Sequence, residues 1–416
     1  MKVGVIGLGY VGLPLVVAFA EAGHEIIGLD VDQSKLAELQ QGRSYIEDVP
    51  NSAISSVAAS ATWTSEYAEL SDADAVVIAV PTPLTPNREP DLGPLISSAT
   101  SLATVLRANQ LVVLESTTYP GTTRERLVPL LEESGLKAGT DFFVAFSPER
   151  TDPGRTDFTL RTTPKVVGGD GPEASARAKA LYETVCDTVI EVSAPEAAEM
   201  TKLLENIFRA VNIALVNEMA VICDRMGIDV WEVVDAAATK PFGFMSFKPG
   251  PGLGGHCLPV DPFYLSWKAR EYGLSAEFVE LAGRTNTNMP RFCVERTVEA
   301  LNRVGVATSN AEVAILGVAY KPDVGDLRES PAISIMEQLA DLGTTLSYHD
   351  PHVDQLPGFG LRSEPLPDLL RRADLVVIVT AHSSVDYSDV VSGAKQVLDF
   401  RGVTRGLEAT ANVMTL

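Results

Sequence analysis

The chain has 416 residues, 45% of them hydrophobic and 21% charged, enough for two or three domains with cores of their own. Its formal charge of -22 excludes broad contact with nucleic acid or an anionic membrane, because no stretch gathers the lysines and arginines that a phosphate surface demands. No apolar run reaches membrane-spanning length, the four cysteines lack framework spacing, and Met1-Lys2-Val3 opens straight into the fold, so the expectation is a cytoplasmic protein with reduced thiols.

Residues 2 to 6 form a short apolar run, followed by Gly7-Leu8-Gly9-Tyr10-Val11-Gly12, a helical stretch through Ala22 and a second strand ending at Asp30. This is a dinucleotide fingerprint in its βαβ setting. Gly7 suits the tight turn, Gly9 lets backbone meet pyrophosphate, Gly12 permits close helix-to-strand packing, and the helix amino terminus supplies amides and dipole. Asp30, 18 residues beyond Gly12, can accept from both ribose hydroxyls and would repel a 2'-phosphate, which predicts NAD over NADP.

Residues 73 to 80 read as a buried parallel strand that breaks at Pro81-Thr82-Pro83, and Leu111 to Leu114 as another that breaks at Glu115-Ser116-Thr117-Thr118. A third, Phe142 to Phe146, delivers Ser147-Pro148-Glu149-Arg150 to the same edge. Such strand ends face the crevice of an open α/β sheet, so Thr82 and Thr117 are candidates to touch nicotinamide or substrate.

From about Pro195 to Gly227 the spacing predicts one long helix, with Ala198, Leu203, Ile207, Ala210, Val211, Ala214, Leu215 and Met219 recurring at helical spacing. Lys202 and Asn206 are four apart and share a face, although a helical lysine is ordinarily solvated. More helix is expected around 228 to 238 and 263 to 304, flanking the run Lys248 to Pro262, whose four glycines and four prolines exclude regular structure. That loop would let backbone amides approach a ligand while presenting the thiol of Cys257, with Asp261 four residues on; a buried core cysteine is the competing reading. Cys186, Cys223 and Cys293 read as core packing, and His256 suits a proton transfer or a structural hydrogen bond equally.

The last third repeats the first in outline: a strand from Glu312 to Leu316 ends at Gly317, another runs from Ser347 to Asp350, and Ala373 to Ile378 echoes Ala73 to Ile78. The expected architecture is α/β, with two Rossmann-like doubly wound parallel-sheet domains, 1–195 and 306–416, joined by a central helical domain, 196–305. In the second copy Gly317-Val318-Ala319-Tyr320-Lys321-Pro322 replaces the glycine fingerprint, and Lys321, Arg328 and Arg401 point to a phosphorylated or anionic ligand, with plain surface charge as the alternative. No metal site is expected, His349 and His352 reading as a polar turn beside Asp350 and Asp354.

Five blocks in order, Gly7 to Gly12, Glu115-Ser116-Thr117, Lys202-Leu203-Leu204-Glu205-Asn206, Gly254 to Asp261 and Leu316 to Pro331, resemble the UDP-glucose/GDP-mannose dehydrogenase family over the whole chain. The resemblance implies oxidation of C6 of a nucleotide-sugar hexose from alcohol to carboxylate with two NAD+. Stopping at the acid requires a covalent hold on the aldehyde, which a thiolate supplies. It implies that Cys257 is the nucleophile, that Lys202 and Asn206 stabilise oxygen charge at C6, that Asp261 manages protons, and that Glu149 and Thr117 position a water. NAD contacts are implied for Tyr10, Val11, Asp30, Lys35, Thr82, Thr117 and Arg328, and substrate contacts for Glu149, Arg150, Lys202, Asn206, Phe247, Gly254, Lys321 and Arg401. At least a homodimer through the central helical domain is implied. Val260 stands where the UDP-glucose branch commonly has lysine, and the surroundings resemble the UDP-N-acetylglucosamine branch, so a UDP-N-acetylhexosamine is the first expectation and UDP-glucose or another NDP-glucose the second. Two rivals remain on sequence: a two-electron β-hydroxyacid-type dehydrogenase, and a binding protein without turnover.

Overall fold

The computed structural model describes residues 1–46, 48–85, 89–151, 157–255, 258, 260–408 and 411–416. The chain divides into two compact units, Met1–Glu205 with Phe263–Leu274, and Asn206–Pro262 with Ser275–Leu416.

The first unit is built on eight strands, β1 (Lys2–Ile6), β2 (Glu25–Leu29), β3 (Ala61–Thr64), β4 (Ala75–Ile78), β5 (Leu111–Leu114), β6 (Phe143–Phe146), β7 (Lys165–Gly169) and β8 (Val189–Val192), in the order β3-β2-β1-β4-β5-β6-β7-β8. The inner strands β4, β5 and β6 are apolar and buried at every position, as strands covered on both faces must be. The order turns back between β1 and β4, which register Val3 against Ala75 through Ile6 against Ile78. That switch point is where the carboxyl ends of an open α/β sheet leave a crevice for ligand. One pairing departs from a wholly parallel sheet: β6 and β7 are antiparallel, with Ala145 opposite Gly169 and Phe146 opposite Gly168.

The second unit carries a parallel sheet of β9 (Glu312–Leu316), β10 (Thr345–His349), β13 (Leu375–Ile378), β14 (Val397–Asp399) and β15 (Val413–Thr415), in the order β10-β9-β13-β14-β15, beside a short ribbon of β11 (Gln355–Leu356) and β12 (Leu361–Arg362). Its core joins Ala220, Trp231, Met289 and Phe292 from helices to Ile315 and Val377 from the sheet. The helical run expected over 263 to 304 is two helices, Asp261–Glu271 and Glu277–Arg303, because Gly273 at φ 69° ends the first in the left-handed conformation. The long helix spans Pro195–Met226 and contains the boundary of the two units; by length and composition alone it could cross a membrane, a test that the core helix of a soluble protein also passes.

Candidate active site

In the first unit the fingerprint loop follows β1. Gly7 has φ 92°, and a Cβ there would lie 2.6 Å from the Ala79 carbonyl oxygen. At Gly12 a Cβ would strike the Gly7 carbonyl, so the helix Gly12–Glu21 can begin that close to β1 only with glycine. At Gly9 a Cβ would meet nothing within 4 Å, leaving that backbone open to an approaching ligand. Asp30 is fixed at the end of β2: its Oδ2 accepts from the Leu8 amide at 2.9 Å and from Lys35 Nζ at 3.1 Å, and Oδ1 accepts from the Asp32 amide at 2.9 Å. Lys35 thus lies on Asp30. Tyr10 is exposed and Val11 half-buried on the same loop.

At the carboxyl edge of the sheet the buried Thr82 donates from its hydroxyl to the Thr117 carbonyl at 2.6 Å, while the Tyr264 hydroxyl donates to the Thr82 carbonyl. These bonds tie together the two loops that sequence reasoning singled out. Lys202 Nζ donates to the backbone carbonyl of Glu149 at 2.6 Å. The Glu149 carboxylate accepts from the amides of Arg150 and Thr151, at 2.8 and 2.5 Å, and from Lys165 Nζ at 3.1 Å. Lys165 also pairs with Glu115, whose other oxygen accepts from the Tyr182 hydroxyl at 2.6 Å. Burial pushes Glu115 up to about 7 against the pull of Lys165. Burial acts in the same direction on Glu149 but is outweighed by Lys165 and the Thr151 bonds, which hold it down to about 2. The two carboxylates raise Lys165 despite its burial, so the lysine stays charged. Lys165 and Tyr182 escaped sequence reasoning; the available signal was a lysine opening an otherwise apolar strand, Lys-Val-Val-Gly-Gly. Arg150, expected at the substrate, donates to the Pro164 carbonyl at 2.5 Å and pairs with Glu205 at 2.6 Å.

In the second unit Asn206 Nδ2 donates to Asp261 Oδ2 at 2.5 Å, both side chains being buried. Phe247 packs edge-on to Phe208 with ring centroids 5.9 Å apart. The glycines of the loop from Lys248 to Pro262 answer to packing: a Cβ on Gly254 would lie 2.6 Å from the Tyr320 Cβ and 2.9 Å from the Glu329 carbonyl oxygen, and one on Gly250 would lie 2.6 Å from Arg401 Nη1. The Gly255 amide donates to the Arg328 carbonyl at 3.0 Å. Cys257 and His256 lie outside the described residues. Arg328, expected at the cofactor, holds the Asp326 carboxylate at 2.6 to 3.0 Å. Lys321 Nζ sits 5.7 Å from the Tyr320 ring centroid, and Arg401 Nε donates to the Val379 carbonyl at 2.7 Å.

Among the described residues, Asp323, His352 and His382 offer ligand atoms within 4.8 Å of one another. Both ring nitrogens of His382 are engaged, however: one faces Asp350 Oδ2 at 3.0 Å, and the other accepts from the Asp323 amide at 3.0 Å. Asp350 is the counterpart of Asp30, its Oδ2 accepting from the amides of Val318 and Ala319 at 2.8 and 3.1 Å. With His382 over it, this acid is closed within the domain core.

A dinucleotide fingerprint with an acid at the second strand, followed by a second nucleotide-binding sheet that has lost the fingerprint, defines an NAD-dependent dehydrogenase with a separate domain for its substrate. Residues 1–186, 196–288 and 314–406 match the NAD binding, central and UDP binding domains of the UDP-glucose/GDP-mannose dehydrogenase family. The chain is 37% identical over 412 residues to Protein CapL of Staphylococcus aureus, covering 97% of this chain and 96% of that one. It is 36% identical over 388 residues to a UDP-N-acetyl-D-glucosamine 6-dehydrogenase of Pseudomonas aeruginosa, covering 92% and 91%. The solved structure of a UDP-D-ManNAc dehydrogenase from Pyrococcus horikoshii matches with a TM-score of 0.91 at 32% identity, over 100% of this chain and 99% of that one. The chain belongs to the UDP-glucose/GDP-mannose dehydrogenase family and is an NAD-dependent nucleotide-sugar dehydrogenase.

Proposed function

We propose that the protein oxidises C6 of a UDP-N-acetylhexosamine, UDP-N-acetylglucosamine first among them, to the uronic acid in two NAD-dependent steps joined by a thioester on Cys257. The observation that carries this reading is the pairing of Asn206 with Asp261, which opens the helix after the Cys257 loop, with Lys202 one turn before Asn206. Lys202 and Asn206 present a cation and an amide donor to the oxygen on C6, where negative charge develops as hydrogen leaves carbon. Asp261, bonded to Asn206, takes the proton of the alcohol. The Gly7–Gly12 loop and Asp30 would hold NAD, which when bound would supply the hydride acceptor for each oxidation. The Cys257 thiolate adds to the aldehyde carbon, and oxidation of the resulting thiohemiacetal gives the thioester. Water then attacks the thioester carbonyl, the carbon–sulfur bond breaks, and the carboxylate leaves with the thiol restored.

Glu149 suits the last step as a fixed charge. Its carboxylate is held by the amides of Arg150 and Thr151 and by Lys165, and from that fixed position it would orient a water with Thr117. Its depressed pKa fits holding a water in place better than cycling a proton. Lys321 and Arg401 remain the cations assigned to the UDP-sugar, and a cytoplasmic setting would keep the thiol reduced.

The same reading includes a homodimer. Leu204, Phe208, Leu215, Met219, Ile222 and Met226 are all exposed along the long helix, an apolar stripe that a second copy would cover.

The test is NADH formed from limiting UDP-GlcNAc, UDP-ManNAc, UDP-GalNAc and UDP-glucose. Two NADH per UDP-GlcNAc is expected, and Cys257→Ser should give less than two. Two NADH from UDP-glucose alone would overturn the sugar assignment, and one per sugar in the wild type would overturn the covalent route.

A further inference from the structure

Two carboxylates and one ammonium lie almost out of solvent in the first unit: the side chains of Lys165, Glu115 and Glu149 are 2%, 0% and 13% exposed. Bringing each ion out of water costs several kcal/mol, and well-packed apolar side chains often replace such a group without loss of stability. The triad is therefore costly if its only duty is to hold the fold together.

Strand direction accounts for the lysine's place. A parallel strand would carry its first residue to the amino edge of the sheet, away from the crevice. The β7 strand is instead antiparallel to β6, pairing Phe146 with Gly168, and continuing that register three residues sets Lys165 opposite Glu149, past the carboxyl end of β6. The Ser147 hydroxyl, donating to the Val166 carbonyl at 2.9 Å, holds that extension. Glu115 reaches the same point from the end of β5, and the Tyr182 hydroxyl closes its second oxygen. Glu149 is thus gripped at its carboxylate by Lys165, and its backbone carbonyl is the acceptor for Lys202 Nζ at 2.6 Å.

We propose that Lys165 is a positioning residue for the oxidation chemistry: by fixing Glu149 it orients both the water-binding carboxylate and, through the Glu149 carbonyl, the ammonium of Lys202. This rests on the roles given to Glu149 and Lys202 under the proposed function. Glu115 is the counter-anchor that keeps the Lys165 chain extended toward the crevice edge. Among the described residues the ionisable groups around Glu149 include Lys165 from β7, Glu115 from β5, Tyr182 from the helix Pro172–Tyr182, Cys186 shortly after that helix, and Lys202 and Arg150 beside its own main chain.

The experiment compares wild type with Lys165→Met and with the double variant Glu115→Gln/Lys165→Met, in full-length protein with NAD and the best UDP-sugar. Lys165→Met leaves two buried carboxylates facing each other and should lower Tm. The double variant removes that repulsion and should recover most of Tm. If Lys165 positions Glu149, the double variant nevertheless keeps kcat down by roughly 10-fold or more, with KM for NAD changed much less, as removal of a supporting residue does. Its kcat should also fall toward acid pH where wild type stays level, because Glu149 has lost the cation that keeps it ionised. Recovery of kcat together with Tm, or a pH profile superimposable on wild type, would overturn the proposal. Should the double variant not fold, Lys165→Arg retains the charge and should keep the level acid limb; an acid-sensitive kcat there would overturn it too. Absence of turnover in the wild type would count against the functional reading instead.

Discussion

Asn217 and Asn286 face each other as buried amides, Asn217 Nδ2 donating to Asn286 Oδ1 at 3.0 Å, and each passes the bond on. The Gly250 amide donates to Asn217 Oδ1 at 2.9 Å, and Asn286 Nδ2 donates to the Ala210 carbonyl at 3.1 Å. The start of the loop that carries Cys257 is thereby hung from the long helix and from the helix Glu277–Arg303. Leaving such a buried partner unsatisfied costs about 1 to 3 kcal/mol, so Asn217→Ala should lower the unfolding free energy by that order. It should also slow the thiol-dependent second oxidation more than the first, read as a lag between the first and second NADH. Equal slowing of both would separate this amide pair from the loop.

Gly9 and Gly254 make a contrasting pair. A Cβ at Gly9 meets no atom within 4 Å, so Gly9→Ala should leave stability within about 0.5 kcal/mol, as at an unobstructed surface site, while raising KM for NAD. At Gly254 the added methyl would press on Tyr320, Glu329 and Pro331, and overpacking of this kind costs about 1 to 3 kcal/mol. Thermal unfolding of the two variants decides it: a destabilised Gly9→Ala or an unaffected Gly254→Ala would contradict the packing described above.

That contrast marks how far the chain could be read without coordinates. The β1-loop-helix unit was legible because its glycines and Asp30 lie within one short βαβ segment, and the second sheet because Val313 to Leu316 and Leu375 to Ile378 are uninterrupted apolar runs. The composition of the loop suggests backbone that meets ligand; Gly254 and Gly255 also lie against Tyr320, a partner more than sixty residues away that no local pattern announces. The direction of β7 is likewise a property of the assembled sheet, so the site of Lys165 opposite Glu149 could not be read from Lys-Val-Val-Gly-Gly. The break at Gly273 was within reach, since a glycine directly after Arg270-Glu271-Tyr272 is an ordinary helix stop.

Asp30 bears on cofactor choice as well as on the turn. Its carboxylate takes the Leu8 amide and Lys35, so Asp30→Asn should keep one acceptor for the loop while losing the charge that disfavours a 2'-phosphate. The expected outcome is a KM for NAD raised by about 10-fold and measurable turnover with NADP, in line with the role of an acid at this position. Unchanged KM for NAD would remove Asp30 from the ribose site.

Glu199, buried on the long helix, accepts from the amides of Gly121 and Thr123 at 2.5 and 2.9 Å and from the Thr123 hydroxyl at 2.7 Å, tying the segment after β5 to the helix. Burial first of all pushes its carboxyl from 4.5 up to about 7, against the pull of those three donors. Between these values the folded protein holds a proton that the unfolded chain has released. The stability tied to that proton is complete below pH 4.5, declines as pH rises through 7 and is gone above it. Glu199→Gln carries no titrating group, although it leaves a donor unmatched and starts out less stable in acid. Every other ionisable group is common to both proteins, so the difference in unfolding free energy isolates this one. Measured by urea denaturation, variant minus wild type should rise with pH by up to about 3 kcal/mol between pH 5 and 8. A difference that is flat with pH would mean that the three donors hold Glu199 ionised throughout, and that the loop is clamped by a permanent charge.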